Sequence, residues 1–242
     1  MGDGTAGGTL YTPSAAATSA AGNGSPHPGV IFLADAGGLR PSVRGAAARL
    51  AEAGYAVLAP NAFFRVGEPP FFTPPLDFQD PKVRATFGAI FSSLPPAAME
   101  SDGIRYAEFL DAQPETAEAP IAVVGHCMTG AMALRAAAAC PERVGLAVSF
   151  HGGRLVTDSE DSPHHVLPRV RARLYFGHAE RDQSMPAEAI AKLDQALETW
   201  GGTYESELYA GALHGWTTTD SPVFHKEQAE RAFSKLVELL GG

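Results

Sequence analysis

Positive charge is scarce in this 242-residue sequence: 18 Lys and Arg stand against 27 Asp and Glu, a formal net charge of −9. No block of five or more basic residues occurs, which argues against nucleic acid and anionic membrane as partners. Cysteine is nearly absent. The two that occur, Cys127 and Cys140, fall at opposite ends of one expected helix, too far apart for a bridge. A disulfide scaffold is therefore excluded and a reducing compartment expected. No run of 18 apolar residues is present, so no membrane span is expected. The N-terminus lacks a basic region followed by a long apolar stretch, so no secretory signal is read and a cytoplasmic location is expected.

What is present is a globular composition, 45% hydrophobic, long enough for one well-buried core. We expect a single domain over 1–242, with residues 1–8 a loose tail. Thr9 to Pro13 can form an edge strand, and Ala15 to Pro28, rich in Ala, Gly, Ser and Pro, reads as a flexible connection. Val30 to Ala34, Tyr55 to Ala59, Val144 to Phe150, Arg173 to Phe176 and Tyr204 to Tyr209 read as strands. Pro41 to Ala53, Ala97 to Ala112, Pro186 to Trp200 and Val223 to Leu240 read as helices, and Asp80-Pro81 opens another. Arg154 to Pro168 reads as a polar loop. Alternating strands and helices of this kind predict an α/β fold with a mostly parallel sheet covered on both faces.

The most informative stretch is Ile121 to Gly130 followed by the Ala-rich run to Ala139. A β-branched run ends in Gly-His-Cys and a strong helix former begins at once. That is a strand, a tight turn and a helix, with Cys127 at the apex. A thiol at a helix N-terminus tends towards thiolate, the nucleophilic form. The alternative is a small buried hydrophobe, which most free cysteines are.

In open α/β sheets, sites lie beyond the carboxyl ends of the strands. Asp35, Cys127, Asp182 and His214 all fall in loops that leave strands there. A thiol nucleophile needs an imidazole for its proton, and the imidazole needs a carboxylate to fix its tautomer. Cys127, Asp182 and His214 follow the order nucleophile, acid, histidine. Glu180 is the rival acid. His126, His151 and His178 are rival histidines: His126 is expected to face the core, and His151 and His178 stand at the wrong place in the order. The pair His164-His165 lacks a third ligand at metal-binding spacing, so no metal is expected. Asn61 to Phe78, with its phenylalanines and prolines, reads as a lid or wall, or equally as a packed apolar cover.

Gly125-His-Cys-Met-Thr-Gly130, Asp182-Gln-Ser-Met-Pro186 and Gly211-Ala-Leu-His-Gly-Trp216 resemble the three catalytic blocks of the dienelactone hydrolase family. Leu33 to Gly38 resembles its first active-site loop, and Ser149 to Gly153 its post-nucleophile strand. The resemblance runs from Val30 onward. It implies an α/β-hydrolase three-layer fold and a cofactor-free hydrolase of a small-molecule ester or lactone. Cys127 would be the nucleophile, His214 the base and then acid, and Asp182 its orienter. The amides of Met128 and Ala36 would hold the oxyanion, and Asp35 would tune the cysteine. The sequence departs from the family's pattern at three places. Thr129 stands where the turn usually has Gly, Asp35 where the first loop usually has Glu, and Thr218 where an arginine grips a substrate carboxylate. Arg84 or Arg65 could supply that charge instead, and Phe64 and Trp216 suggest an apolar pocket lining. A second reading is a hydrolase-shaped protein that binds a ligand or senses oxidants through Cys127 without useful catalysis.

Overall fold

The structure, a computed structural model, describes residues 4–17, 26–72 and 79–241. The start of the expected tail, part of the expected connection and the end of the phenylalanine-rich segment lie outside them. Seven strands, β1 (Gly8–Tyr11), β2 (Gly29–Leu33), β3 (Ala56–Pro60), β4 (Ile121–His126), β5 (Val144–Phe150), β6 (Arg173–Arg181) and β7 (Tyr204–Leu213), form one sheet in the order β1-β3-β2-β4-β5-β6-β7. Strands β2, β3 and β4 are buried at every position, and β5 at all but one. They read as unbroken apolar runs because parallel strands are covered on both faces. Strand β1 pairs antiparallel with β3, and all other neighbours pair parallel. The expected loose tail does not extend through residue 8, since Gly8 opens β1 and the Gly7 carbonyl accepts the Asn61 amide at 2.7 Å.

Side chains alternate between two cores along each strand. Val30 and Phe32 enter one core with helix α1 (Pro41–Glu52) and the last helix, α6 (Lys226–Leu239). Ile31 and Leu33 enter the other, with α2 (Pro81–Ser92), α3 (Pro96–Asp111), α4 (Thr129–Ala139) and α5 (Ala187–Trp200). The Ala-rich composition of α4 has a packing reason. The helix is buried along almost its whole length, and a Cβ at Gly103 of α3 would lie 2.7 Å from the Ala136 Cβ. Only small side chains let the two helices approach so closely.

Two strands outrun their apolar pattern. β6 spans Arg173–Arg181 and β7 spans Tyr204–Leu213, both longer than expected, because main-chain pairing continues through His178↔Leu208 and Ala179↔Tyr209 to Arg181↔Leu213. Ladder bonds do not require apolar side chains, so His178 and Glu180 hid the extension. Asp182 and His214 thereby follow directly on strand ends. The expected polar loop after β5 contains a 3₁₀ segment, Pro163–Arg169, anchored by buried Val166 and Leu167. The final helix begins at Lys226 rather than Val223, capped by the His225 ring nitrogen, which accepts from the Gln228 amide.

Candidate active site

Cys127 occupies the turn between β4 and α4 with φ 58°, a left-handed conformation that a non-glycine residue adopts only where its surroundings hold it. The glycines on either side explain how the turn closes. A Cβ at Gly125 would lie 2.1 Å from the Thr129 carbonyl oxygen, and one at Gly130 would lie 2.2 Å from Ser149 Oγ. Thr129 needs no glycine: its side chain, wholly buried, is built into the turn. Its hydroxyl accepts from the His126 amide at 2.9 Å and turns its own proton towards the carbonyls of His126 (2.9 Å) and Ala34 (3.0 Å). The side chain thus pins the end of β4 to the end of β2.

The structure brings together the three side chains expected at the site. His214 Nε2 lies 3.0 Å from Cys127 Sγ, and Nδ1 lies 2.6 Å from Asp182 Oδ2. Burial works against the imidazolium of His214, but hydrogen bonds to Asp182 and Cys127 outweigh it and raise its pKa to about 10. Burial likewise opposes ionisation of Asp182. His214, with the hydroxyl and amide of Ser184, reverses that and lowers its pKa. Ser184 was not anticipated: its hydroxyl donates to Asp182 Oδ1 at 2.6 Å and lies 3.2 Å from His214 Nδ1. The Asp-x-Ser spacing, typical of a side-chain-closed turn, was the available signal. Glu180, the rival acid, instead accepts from the Gly211 amide.

The rival histidines find other roles. His126 is buried between Phe32 and Phe150 with Nδ1 3.0 Å from the Leu33 carbonyl, and burial lowers its pKa. His178 is also buried, which lowers its pKa to about 4. His151, set aside by chain order, turns out to touch the thiol turn: its Nδ1 accepts from the Cys127 amide at 3.1 Å. Strand register was the missing information, since β5 lies beside β4 with Phe150 opposite His126. His164 and His165 bond to Ser162 and the Glu160 carbonyl, and no group of three metal-binding side chains occurs among the described residues.

The amides of Ala36 and Met128 have no acceptor among the described residues, and Met128 stands at the N-terminus of α4. Asp35 departs from its expected part. Its carboxylate takes a two-point ion pair from Arg40 (2.5 and 2.9 Å), the Gly37 amide (2.8 Å) and the Thr218 hydroxyl (3.2 Å), not the thiol. Burial alone would raise its pKa, but Arg40 and the Gly37 amide hold it below the usual carboxylate value.

Several residues expected to meet a substrate are engaged elsewhere in the fold. Arg65 makes a two-point pair with buried Asp102 of α3 at 2.7 and 2.8 Å and lies over the Phe64 ring, so neither side chain presents a free group. Arg84 is exposed and donates to the Gln79 carbonyl. Trp216 is fully buried, stacked on Tyr209 and edge-on to His151; it is core behind the histidines rather than pocket lining. The phenylalanine-rich segment serves partly as cover: Phe63 is fully buried and Phe71 packs edge-on against it. A cavity of about 340 Å³ opens between α1 and α6, lined by Phe32, His126, Phe150, Phe233 and Thr217 among others. Asp35 also lines it, but neither Cys127 nor His214 does. We therefore do not assign it as the place of chemistry.

A mostly parallel sheet, a Gly-x-Cys-x-x-Gly turn after β4, an acid after β6 and a histidine after β7 define an α/β-hydrolase. The sequence model of the dienelactone hydrolase family matches residues 15–242, and the chain belongs to that family. A protein of Salmonella typhi, named provisionally as a carboxymethylenebutenolidase, is 24% identical over 214 residues, covering 87% of this chain and 76% of its own. Among solved structures, a provisionally named dienelactone hydrolase from Klebsiella pneumoniae superposes with a TM-score of 0.80 at 21% identity, covering 98% of both chains. A dienelactone hydrolase-like promiscuous phosphotriesterase from metagenomic libraries gives 0.72 at 20% identity, covering 98% of this chain and 97% of its own. Likeness at this level carries the fold. No helix among the described residues is long and apolar enough to cross a membrane.

Proposed function

We propose that this protein is a cysteine-dependent hydrolase of uncharged carboxylic esters or lactones, acting through an acyl-enzyme at Cys127. One observation carries the reading: sulfur, imidazole and carboxylate stand in a row at 3.0 and 2.6 Å. Sγ, having passed its proton to His214 Nε2, attacks the carbonyl carbon. The carbonyl oxygen gains the negative charge and is met by the amides of Met128 and Ala36, fixed donors that stabilise charge present only in the transition state. As the C–O bond breaks, the leaving alkoxide takes the proton from Nε2. A water then gives its proton to His214 and attacks the thioester, and the returning proton restores the thiol as the acid departs. Asp182 holds the Nδ1 proton throughout. The relatives' carboxymethylenebutenolidase and dienelactone hydrolase names point to the same reaction class.

The preference for uncharged substrates follows from where the cations are spent. Thr218 replaces the expected arginine, Arg40 is shared between Asp35 and Asp220, and Arg65 is paired with Asp102. An anionic substrate would face carboxylates with no unpaired guanidinium among these residues to offset them. The test is turnover of p-nitrophenyl acetate and of lactones with and without a carboxylate. We expect a burst followed by steady turnover, uncharged lactones preferred, and a loss on the order of 10⁴-fold in Cys127→Ala. Retained turnover in that variant rejects the mechanism. Stoichiometric acylation without turnover, or sulfenylation by peroxide as the sole reactivity, returns the ligand-binding or oxidant-sensing reading.

A further inference from the structure

We infer that His151, neutral and protonated at Nε2 alone, is a positioning residue that ties the Cys127 turn to the loop carrying His214. The tautomer follows from its partners. A backbone amide can only donate, so the Nδ1 that faces the Cys127 N–H at 3.1 Å is bare. The ring proton is then on Nε2, which donates to Thr217 Oγ1 at 2.8 Å. Thr217 stands three residues beyond His214, across Gly215 in its left-handed conformation at φ 95°. One imidazole therefore bridges the nucleophile turn and the segment that carries the proton acceptor. Its ring also meets the His214 ring edge-on, with centroids 5.2 Å apart, and the Trp216 ring at 5.0 Å.

One end of the bridge and the bridging residue itself are held away from relaxed geometry. Cys127 has φ 58° and His151 itself φ 39°, left-handed values that neither residue favours. The Cys127 amide divides its bond between the Phe150 carbonyl at 3.1 Å and His151, and the Cys127 carbonyl accepts from the Gly153 amide at 3.2 Å. Moving the imidazole would thus shift the sulfur and the His214 loop relative to each other.

The bridge works only while His151 is neutral. A second proton would set N–H against N–H at Cys127 and place positive charge beside His214. The titratable and hydrogen-bonding groups that face it bear on this: His126 after β4, Cys127, Asp35 after β2, Asp182 after β6, and His214 and Thr217 after β7. Complete burial, then His214 and His126, push the imidazole well below its usual pKa, against a smaller opposite pull from Asp35 and Asp182.

The inference rests on the hydrolase reading for its kinetic consequences, but its geometry can be tested without activity. Long-range ¹H–¹⁵N correlation on the wild-type protein between pH 6 and 8 should show His151 with a bare Nδ1 and a protonated Nε2. An Nδ1–H tautomer or an imidazolium overturns the inference whatever the enzyme does. In kinetics, His151→Leu, which lacks both contacts, should lower kcat on the order of 100-fold with KM nearly unchanged. His151→Asn, whose Oδ1 can stand where Nδ1 stood, should recover about tenfold of that. Thr217→Val, nearly isosteric, should lower kcat about tenfold and shift the pH profile of kcat. Equal impairment of the Leu and Asn variants, or a change in KM with kcat intact, overturns the inference. Should His151→Leu fail to fold, Thr217→Val decides it: wild-type kcat and pH profile in that variant overturn it. Activity persisting in Cys127→Ala, with the His151 tautomer as expected, would instead remove the hydrolase reading alone.

Discussion

The loops that leave β5 and β7 each present a histidine at the same rim of the sheet, and the two rings lie 5.2 Å apart. His151 is wholly buried and His214 half-buried. The loop after β7 sets a carboxylate against Nδ1 and sulfur against Nε2, and His214 holds its proton to about pH 10. The loop after β5 sets an amide donor against Nδ1 and a hydroxyl against Nε2, and His151 is kept neutral. Burial pushes both the same way. What separates them is whether the partners accept or donate, which fits the same side chain for proton transfer in one loop and for fixed support in the other under the proposed mechanism.

The sharpest way to break this contrast is removal of the proposed proton carrier. His214→Ala should lower kcat/KM for p-nitrophenyl acetate on the order of 10⁴-fold, since the thiol then has no proton partner; a tenfold loss would move that role elsewhere. Next in size is Gly125→Ala, whose Cβ would lie 2.1 Å from the Thr129 carbonyl. It should destabilise by about 3 kcal/mol, read as a lower urea midpoint at unchanged slope.

The two histidines should also divide the pH dependence of stability. His214 has its folded pKa above the unfolded value, so its contribution is complete below about pH 6.5 and is lost as pH rises towards 10. His151 has its folded pKa below the unfolded value, so the unfolded chain gains protons first and stability falls as pH drops under about 6.5. Urea midpoints from pH 5 to 10 should decline on both sides. His214→Gln should flatten the alkaline side and His151→Asn the acid side; the reverse assignment would undo the comparison. Smallest is Ser184→Ala, which removes one of several hydrogen bonds to the Asp182 carboxylate and should lower kcat about fivefold.

Much of this site was legible because its parts are local. The Gly-His-Cys-Met-Thr-Gly turn announces itself through composition, and Asp182 and His214 follow from chain order. Residues whose part depends on a neighbouring strand were not legible. His151 was passed over because order along the chain excluded it, although register across the sheet sets it beside the thiol. Residue type alone makes Trp216 and Arg65 pocket candidates. One is sealed into the core, and the other is neutralised by Asp102, 37 positions away. Thr129 stands where the family's turn usually has Gly, and only the fold shows that its hydroxyl joins two strand ends.

Hydrophobic runs, turn glycines and the order of reactive side chains determined the strands, the thiol turn and the catalytic candidates, because each depends on a few adjacent residues and on backbone geometry. Only the folded sheet decided which carboxylate met which cation, which histidine kept its proton and where the aromatic rings were buried. Those outcomes depend on partners distant in sequence, whose distances and hydrogen-bonding sense exist only once the strands have paired.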